Sequence, residues 1–208
     1  MARRHSAAPR YVDRERKFRV TALVWFCQNT AIWTRCARNL RLDPMDNLVA
    51  QAAADGDNDD VRDLLALVCA LTDMGFAAVA RVDETRWIAY QVIDKIEFGL
   101  TPGGELEVQT TICDEMRQHG QAVVFDDATI DPEWRNHPVP ILYGFKSYAA
   151  FPIFLPDGQF YGTLCAIDPA RRKVSNEAVV ATLRDYADQI GRLIAARHAQ
   201  GDVRMMSA

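Results

Sequence analysis

Cys113, in the run Thr110-Thr111-Ile112-Cys113-Asp114-Glu115, is where thiol chemistry would sit. A sulfur facing a cavity can change redox state or hold a ligand, whereas a free cysteine in a core is a small apolar residue. Packing explains Cys113 more cheaply, and it is by far the commoner role for Cys69 and Cys165. Cys27 and Cys36 complete a set with no C-x-x-C spacing, which reads as reduced thiols of a cytoplasmic protein. A metal or haem site needs His with companions at ligand spacing. His5, His119, His137 and His198 are scattered. His137, in Arg135-Asn136-His137-Pro138, reads as a loop histidine bonded to backbone, with ligand contact the alternative. Asp126, Asp127, Asp131 and Glu133 form an acidic cluster, yet turn formation and helix capping explain it without a catalytic cleft. The chain has no glycine-rich phosphate cradle, no G-x-S-x-G elbow and no kinase or cyclase signature. The expectation is a protein that binds or interacts and is not an enzyme.

The elements that must hold these residues follow from periodicity. Asp59 or Asp60 is positioned to cap a helix through Val61, Leu64, Leu65, Val68 and Leu71, stopped by Gly75. Phe76–Val82 and Trp87–Ile93 read as a hairpin around Asp83–Arg86, and Thr101–Gly104 as a break. The spacing of Val108, Ile112, Cys113 and Met116 predicts a helix over 106–118 that ends at Gly120, with Cys113 near its middle. Ala122–Phe125 reads as a short strand. Residues 128–146 contain Pro132, Pro138 and Pro140 together with Trp134, His137, Leu142, Tyr143 and Phe145, which predicts an ordered lid. Ser175 is the expected cap of a last helix to about His198. Its seam of Val179, Leu183, Tyr186, Ile190, Leu193 and Arg197 suits either a dimer or cover for a sheet.

Between the lid and that helix lies YGFKSYAAFPIFLPDGQFYGTLCAIDP, residues 143–169. Ser147–Leu155 and Phe160–Asp168 read as strands joined at Pro156-Asp157-Gly158, a turn with a glycine bulge. Tyr148, Ala150 and Phe154 share one face of the first strand, and Ala149, Phe151, Ile153 and Leu155 the other. On the second, Leu164 and Ala166 oppose Tyr161, Cys165 and Ile167. A hairpin apolar on both faces must be covered on both. Pro152, which cannot donate to a ladder, belongs at an edge or bulge.

The pattern Ser147-Tyr148, Pro152-Ile153, Asp157-Gly158 and Gly162-Thr163-Leu164-Cys165-Ala166-Ile167-Asp168-Pro169, then a long helix, resembles the C-terminal half of a GAF domain. The resemblance implies an α+β fold over residues 58–198: a central antiparallel β-sheet with terminal helices on one face and a lid and ligand cavity on the other. It leaves the ligand and any cofactor unknown. Related reductases of free methionine sulfoxide place a nucleophilic cysteine on the strand matching Lys146–Ile153, where this chain has Ser147, so the partner thiols for a redox role of Cys113 are missing. Photoreceptors of the class often carry a Cys-His pair near the chromophore. Here Asn136 precedes His137. The motif of the cyclic-nucleotide type is absent.

Length and composition agree with one soluble domain: 208 residues, 49% hydrophobic, 25% charged, no apolar run of membrane-spanning length. The net charge of −4 hides a split, because residues 1–44 hold nine Arg and Lys17 against Asp13, Glu15 and Asp43. That is +7, which leaves −11 for the rest. Residues 1–45 read as a basic, poorly ordered extension, with Met45 an alternative start, 46–57 as a linker and 199–208 as a frayed tail. No nucleic-acid motif is present. The expected function is non-enzymatic sensing or regulation in bacterial signalling, with a small molecule held between the sheet and the lid. The candidate ligand-binding residues are Cys113, Trp134, His137, Tyr143, Phe145 and Tyr148. Expected partners are that small molecule, a second copy through the terminal helices, and a histidine kinase or other output protein. Alternatives are a thiol-dependent redox enzyme using Cys113, and an interaction module whose cavity is filled by its own side chains.

Overall fold

The computed structural model describes the backbone of residues 58–206 and the side chains of residues 58–200. The expected basic extension and linker lie outside the described residues. Helix α1 (Asp59–Thr72) leads into β1 (Phe76–Val82), β2 (Arg86–Asp94) and β3 (Glu105–Glu107). A 3-10 turn (Val108–Thr110), α2 (Ile112–His119) and β4 (Val123–Phe125) follow. After the lid and its helix α3 (Pro138–Tyr143) come β5 (Ser147–Phe154), β6 (Phe160–Asp168) and α4 (Glu177–Met206). The strands form one six-stranded antiparallel sheet in the order β3-β2-β1-β6-β5-β4. None of the described helices is long and apolar enough to cross a membrane.

Strand alternation divides the core between the two faces. Ala77, Val79, Ala149, Phe151, Leu164 and Ala166 pack under α1 and α4. Phe76, Ala78, Tyr148, Ala150, Cys165 and Ile167 face α2, α3 and the lid. Tyr161 departs from the expected alternation. Ile153 pairs with Gly162 and Phe154 with Phe160, so Tyr161 is an extra residue at a bulge and joins the helix-side core with Leu164. Pro152 sits opposite Thr163, beyond Ala150 where β4 ends, so its missing N–H falls on an open edge. Gly158 closes the hairpin at φ +83°, and its N–H donates to Leu155 O at 2.8 Å.

Three expectations about helices change. Asn58, not Asp59 or Asp60, caps α1: its Oδ1 accepts from Asp60 N and Val61 N, while both aspartates lie in the first turn and favour the helix dipole. Asn176 Oδ1 accepts from Val179 N at the start of α4, whereas Ser175 N donates to Asp126 Oδ1. The expected helix over 106–118 begins only at Ile112. Glu105–Glu107 pair instead with Arg86–Ile88, held by the Arg86–Glu105 ion pair, and the Thr110 and Thr111 hydroxyls turn back onto Glu107 O and Val108 O. Cys113 therefore lies in the first turn of α2. Helix α4 runs past His198 to Met206, and buries Val179, Leu183, Ala187, Ile190 and Ile194 in the helix-side core. Tyr186 and Leu193 of the expected seam flank that stripe.

Candidate functional site

On the face opposite α1 and α4, a cavity of about 50 Å³ lies between the sheet, α2, α3 and the loop after β2. Two loops make its cover. Asp94 Oδ1 accepts from Ile96 N and Phe98 N, and Oδ2 from Gly99 N, so one carboxylate shapes the segment that places Phe98 and Leu100 over the cavity. In the lid, Asp127 Oδ1 accepts from Thr129 N, and Asp131 Oδ1 from Glu133 N and Trp134 N. These carboxylates form turns, as their spacing suggested. Asp126 instead accepts from Val174 N and Ser175 N, and fastens the end of β4 to the chain entering α4.

Of the six candidate ligand-binding residues, Cys113, Tyr143, Phe145 and Tyr148 line the cavity, and Trp134 and His137 do not. Trp134 stacks on Phe125 with centroids 5.0 Å apart, and Phe125 stacks in turn on Tyr148 at 5.4 Å. It props the lid from behind. His137 Nδ1 accepts from Val139 N at the start of α3, and its Nε2 lies 2.9 Å from Glu115 Oε1 on α2. Its role is to seat the lid.

The polar groups of the cavity gather around one sulfur. Thr163 Oγ1 donates to Cys113 Sγ at 3.3 Å, and Tyr148 OH lies 3.7 Å from it. Burial pushes the Cys113 thiol up, although Thr163, Tyr148, Trp87 and Thr111 around the sulfur work against that. Burial also drives Tyr148 and Cys165 well up, and the neighbouring Cys113 adds to both. All three are protonated at neutral pH, so neither thiol is primed as a nucleophile. Trp87 Nε1 is buried beside the same weakly accepting sulfur and has no oxygen or nitrogen partner. Among the described residues, no group of three or more His, Cys, Asp and Glu could hold a metal ion.

Sequence reading missed Trp87, Phe98 and Leu100 among the lining residues, and Thr163, which bonds to Cys113 from outside the lining. Period-two alternation along β2 carries a signal for Trp87, since it shares a face with Ala89. Phe98 and Leu100 lie on a loop whose path depends on Asp94, and no periodicity reports that. Ser147, at the strand position where the resemblance places a nucleophile, is fully buried. Its Oγ lies 2.6 Å from Asp126 O and 2.8 Å from Ala170 O, and accepts from Arg172 N at 2.6 Å. It knits three segments together and faces no cavity.

The fold is similar to those of solved GAF domains. One is the GAF domain from an Acinetobacter phosphoenolpyruvate-protein phosphotransferase, with TM-score 0.54 and 16% identity, covering 75% of this chain and 94% of that one. The blue-light absorbing form of the Thermosynechococcus elongatus PixJ GAF domain has TM-score 0.56 and 13% identity, over 76% of this chain and 92% of that one. The type II free methionine-R-sulfoxide reductase from Thermoplasma acidophilum has TM-score 0.52 and 11% identity, over 71% and 94%. At such identities the likeness is one of fold. Among curated proteins, none matches this sequence. The family model of the GAF domain matches residues 59–194, and this chain belongs to the GAF domain family.

Proposed function

We propose that the chain is a non-enzymatic sensory or regulatory module of bacterial signalling, cytoplasmic, which holds a small molecule between the sheet and the lid at 128–146. Family membership supports the class, since GAF domains are typically sensory or regulatory parts of signalling proteins. The observation that carries the mechanism is the two-sided use of β6. Cys165 and Ile167 line the cavity, while their neighbours Leu164 and Ala166 pack under α1 and α4. A ligand that moves the sheet or closes the lid therefore acts on strands that also seat the terminal helices. Those helices pass the change to a second copy and to an output protein such as a histidine kinase. Leu67 and Leu71 on α1 are 50% and 39% exposed, which suits a homodimer built on that helix. The test is a melting-temperature screen of metabolites combined with native mass spectrometry. A bound ligand must stabilise the native state. No shift with any metabolite would leave a module whose cavity is filled by its own side chains.

A redox enzyme is the second reading. It is favoured by the placement of Cys165 beside Cys113, which supplies a second thiol. Against it stand the raised thiols and the structural role of Ser147. Free methionine sulfoxide turnover by the wild type that is abolished in Cys113→Ser would establish this reading instead.

A further inference from the structure

Within the sensing reading, on which this inference rests, we infer that the cavity selects a compact, uncharged molecule with one hydrogen-bond acceptor, read by Trp87 Nε1. Three observations carry it. No Asp, Glu, Lys, Arg or His is among the lining residues, so an ionised group entering the site would lose its water and meet no countercharge. Size is the second. A cavity of about 50 Å³ is small beside an apolar cavity of ~150 Å³ that holds benzene, and suits a molecule of a few heavy atoms.

The third is the state of the polar groups. Thr111 Oγ1 donates to Val108 O at 2.7 Å, Tyr143 OH pairs with Thr110 Oγ1 at 2.9 Å, and Thr163 and Tyr148 both address Cys113 Sγ. Every one of these hydroxyls has a partner. Trp87 Nε1, on a residue 2% exposed, has no oxygen or nitrogen partner and only the weakly accepting Cys113 sulfur beside it, and indole N–H can only donate. Buried donors are rarely left unmatched, so the occupant supplies an acceptor: a carbonyl, nitrile or ether oxygen or nitrogen. The rest of it meets Phe98, Leu100 and Phe145 and must be apolar.

Three isosteric probes separate the possibilities: acetone, acetate and isobutene, titrated into the 208-residue chain labelled with ¹⁵N. Tryptophan side chains give four indole resonances, from Trp25, Trp33, Trp87 and Trp134, and loss of one in Trp87→Phe identifies the reporter. Acetone is expected to shift the Trp87 indole resonance saturably, to bind about threefold to tenfold tighter than isobutene, and to lose that advantage in Trp87→Phe. Acetate is expected to leave the resonance unmoved. Saturable binding of acetate overturns the uncharged class, and equal affinity for acetone and isobutene overturns the role of Trp87; either leaves sensing intact. If no probe moves any cavity-lining resonance, the inference falls, and the sensing reading is decided separately by the metabolite screen.

Discussion

His137 Nε2 lies 2.9 Å from Glu115 Oε1, and this contact ties the first turn of α3 to α2 across the rim of the cavity. The other ring nitrogen accepts from Val139 N at 3.3 Å, which leaves the N–H on Nε2, the donor to Glu115. One side chain thus caps the lid helix and latches it. Replacement by alanine removes both bonds. An N-cap is worth about 1 kcal/mol, and a hydrogen bond this exposed adds a few tenths. His137→Ala is expected to raise amide hydrogen exchange across 138–144 while the sheet keeps its protection. Unchanged exchange in α3 would show that the aromatic stack behind it seats the lid alone.

The protonation states in the cavity set an alkaline limit on stability. Burial raises Cys113, Cys165 and Tyr148 in the folded chain, so above the ordinary thiol value near 9 the native state binds more protons than the unfolded one. Stability from these groups is complete below that value and is lost as pH rises toward the folded values, by at most about 1.4 kcal/mol per pH unit for each group. Urea unfolding between pH 8 and 10 should show a falling free energy. In Cys165→Ala the fall should be shallower, whatever that variant costs at pH 7. An unchanged slope would mean that Cys165 ionises in the folded chain as readily as in the unfolded one.

Some of this organisation was legible in the residues themselves. The β5–β6 hairpin declares its turn through Pro156-Asp157-Gly158 and its burial through apolar residues on both faces, so the sheet and its two-sided cover followed. Tyr161 was misplaced because a bulge adds a residue without altering composition, and alternation past a bulge assigns the wrong face. The 105–111 segment was misread because Val108, Ile112 and Met116 keep helical spacing, while the choice of strand is made by β2, nearly twenty residues earlier. Four cavity residues were found among the lid and strand aromatics and Cys113. Trp134 and His137 have the same chemistry, but the stack on Phe125 and the bond to Glu115 turn them away, and those contacts are tertiary.

Ser147 should be intolerant of truncation. Its hydroxyl serves backbone groups of Asp126, Ala170 and Arg172, and removing it leaves half-buried backbone groups short of a protein partner. Ser147→Ala is expected to cost roughly 1–2 kcal/mol, read as a lower urea midpoint at unchanged slope. A change below about 0.5 kcal/mol would indicate that water takes over all three bonds.

Gly191 tests how tightly α4 is seated, because two effects of opposite sign meet there. In an exposed helix interior, Gly→Ala would stabilise by about 1 kcal/mol. Here a Cβ would stand 2.3 Å from Phe154 O and 3.5 Å from Ile153 Cγ2. The first of these is backbone at the end of β5, so the strain cannot be relieved by turning a side chain. Helix α4 must lift from the sheet, and the buried stripe through Leu183, Ala187, Ile190 and Ile194 loosens with it. Overpacking of this kind costs about 1–3 kcal/mol, enough to outweigh the gain in helix propensity. Gly191→Ala is therefore expected to lower the melting temperature by several degrees while helical circular dichroism is retained. A variant as stable as wild type would mean that α4 already slides freely over β5, and that the contact proposed to carry the signal out of the sheet is too slack to do so.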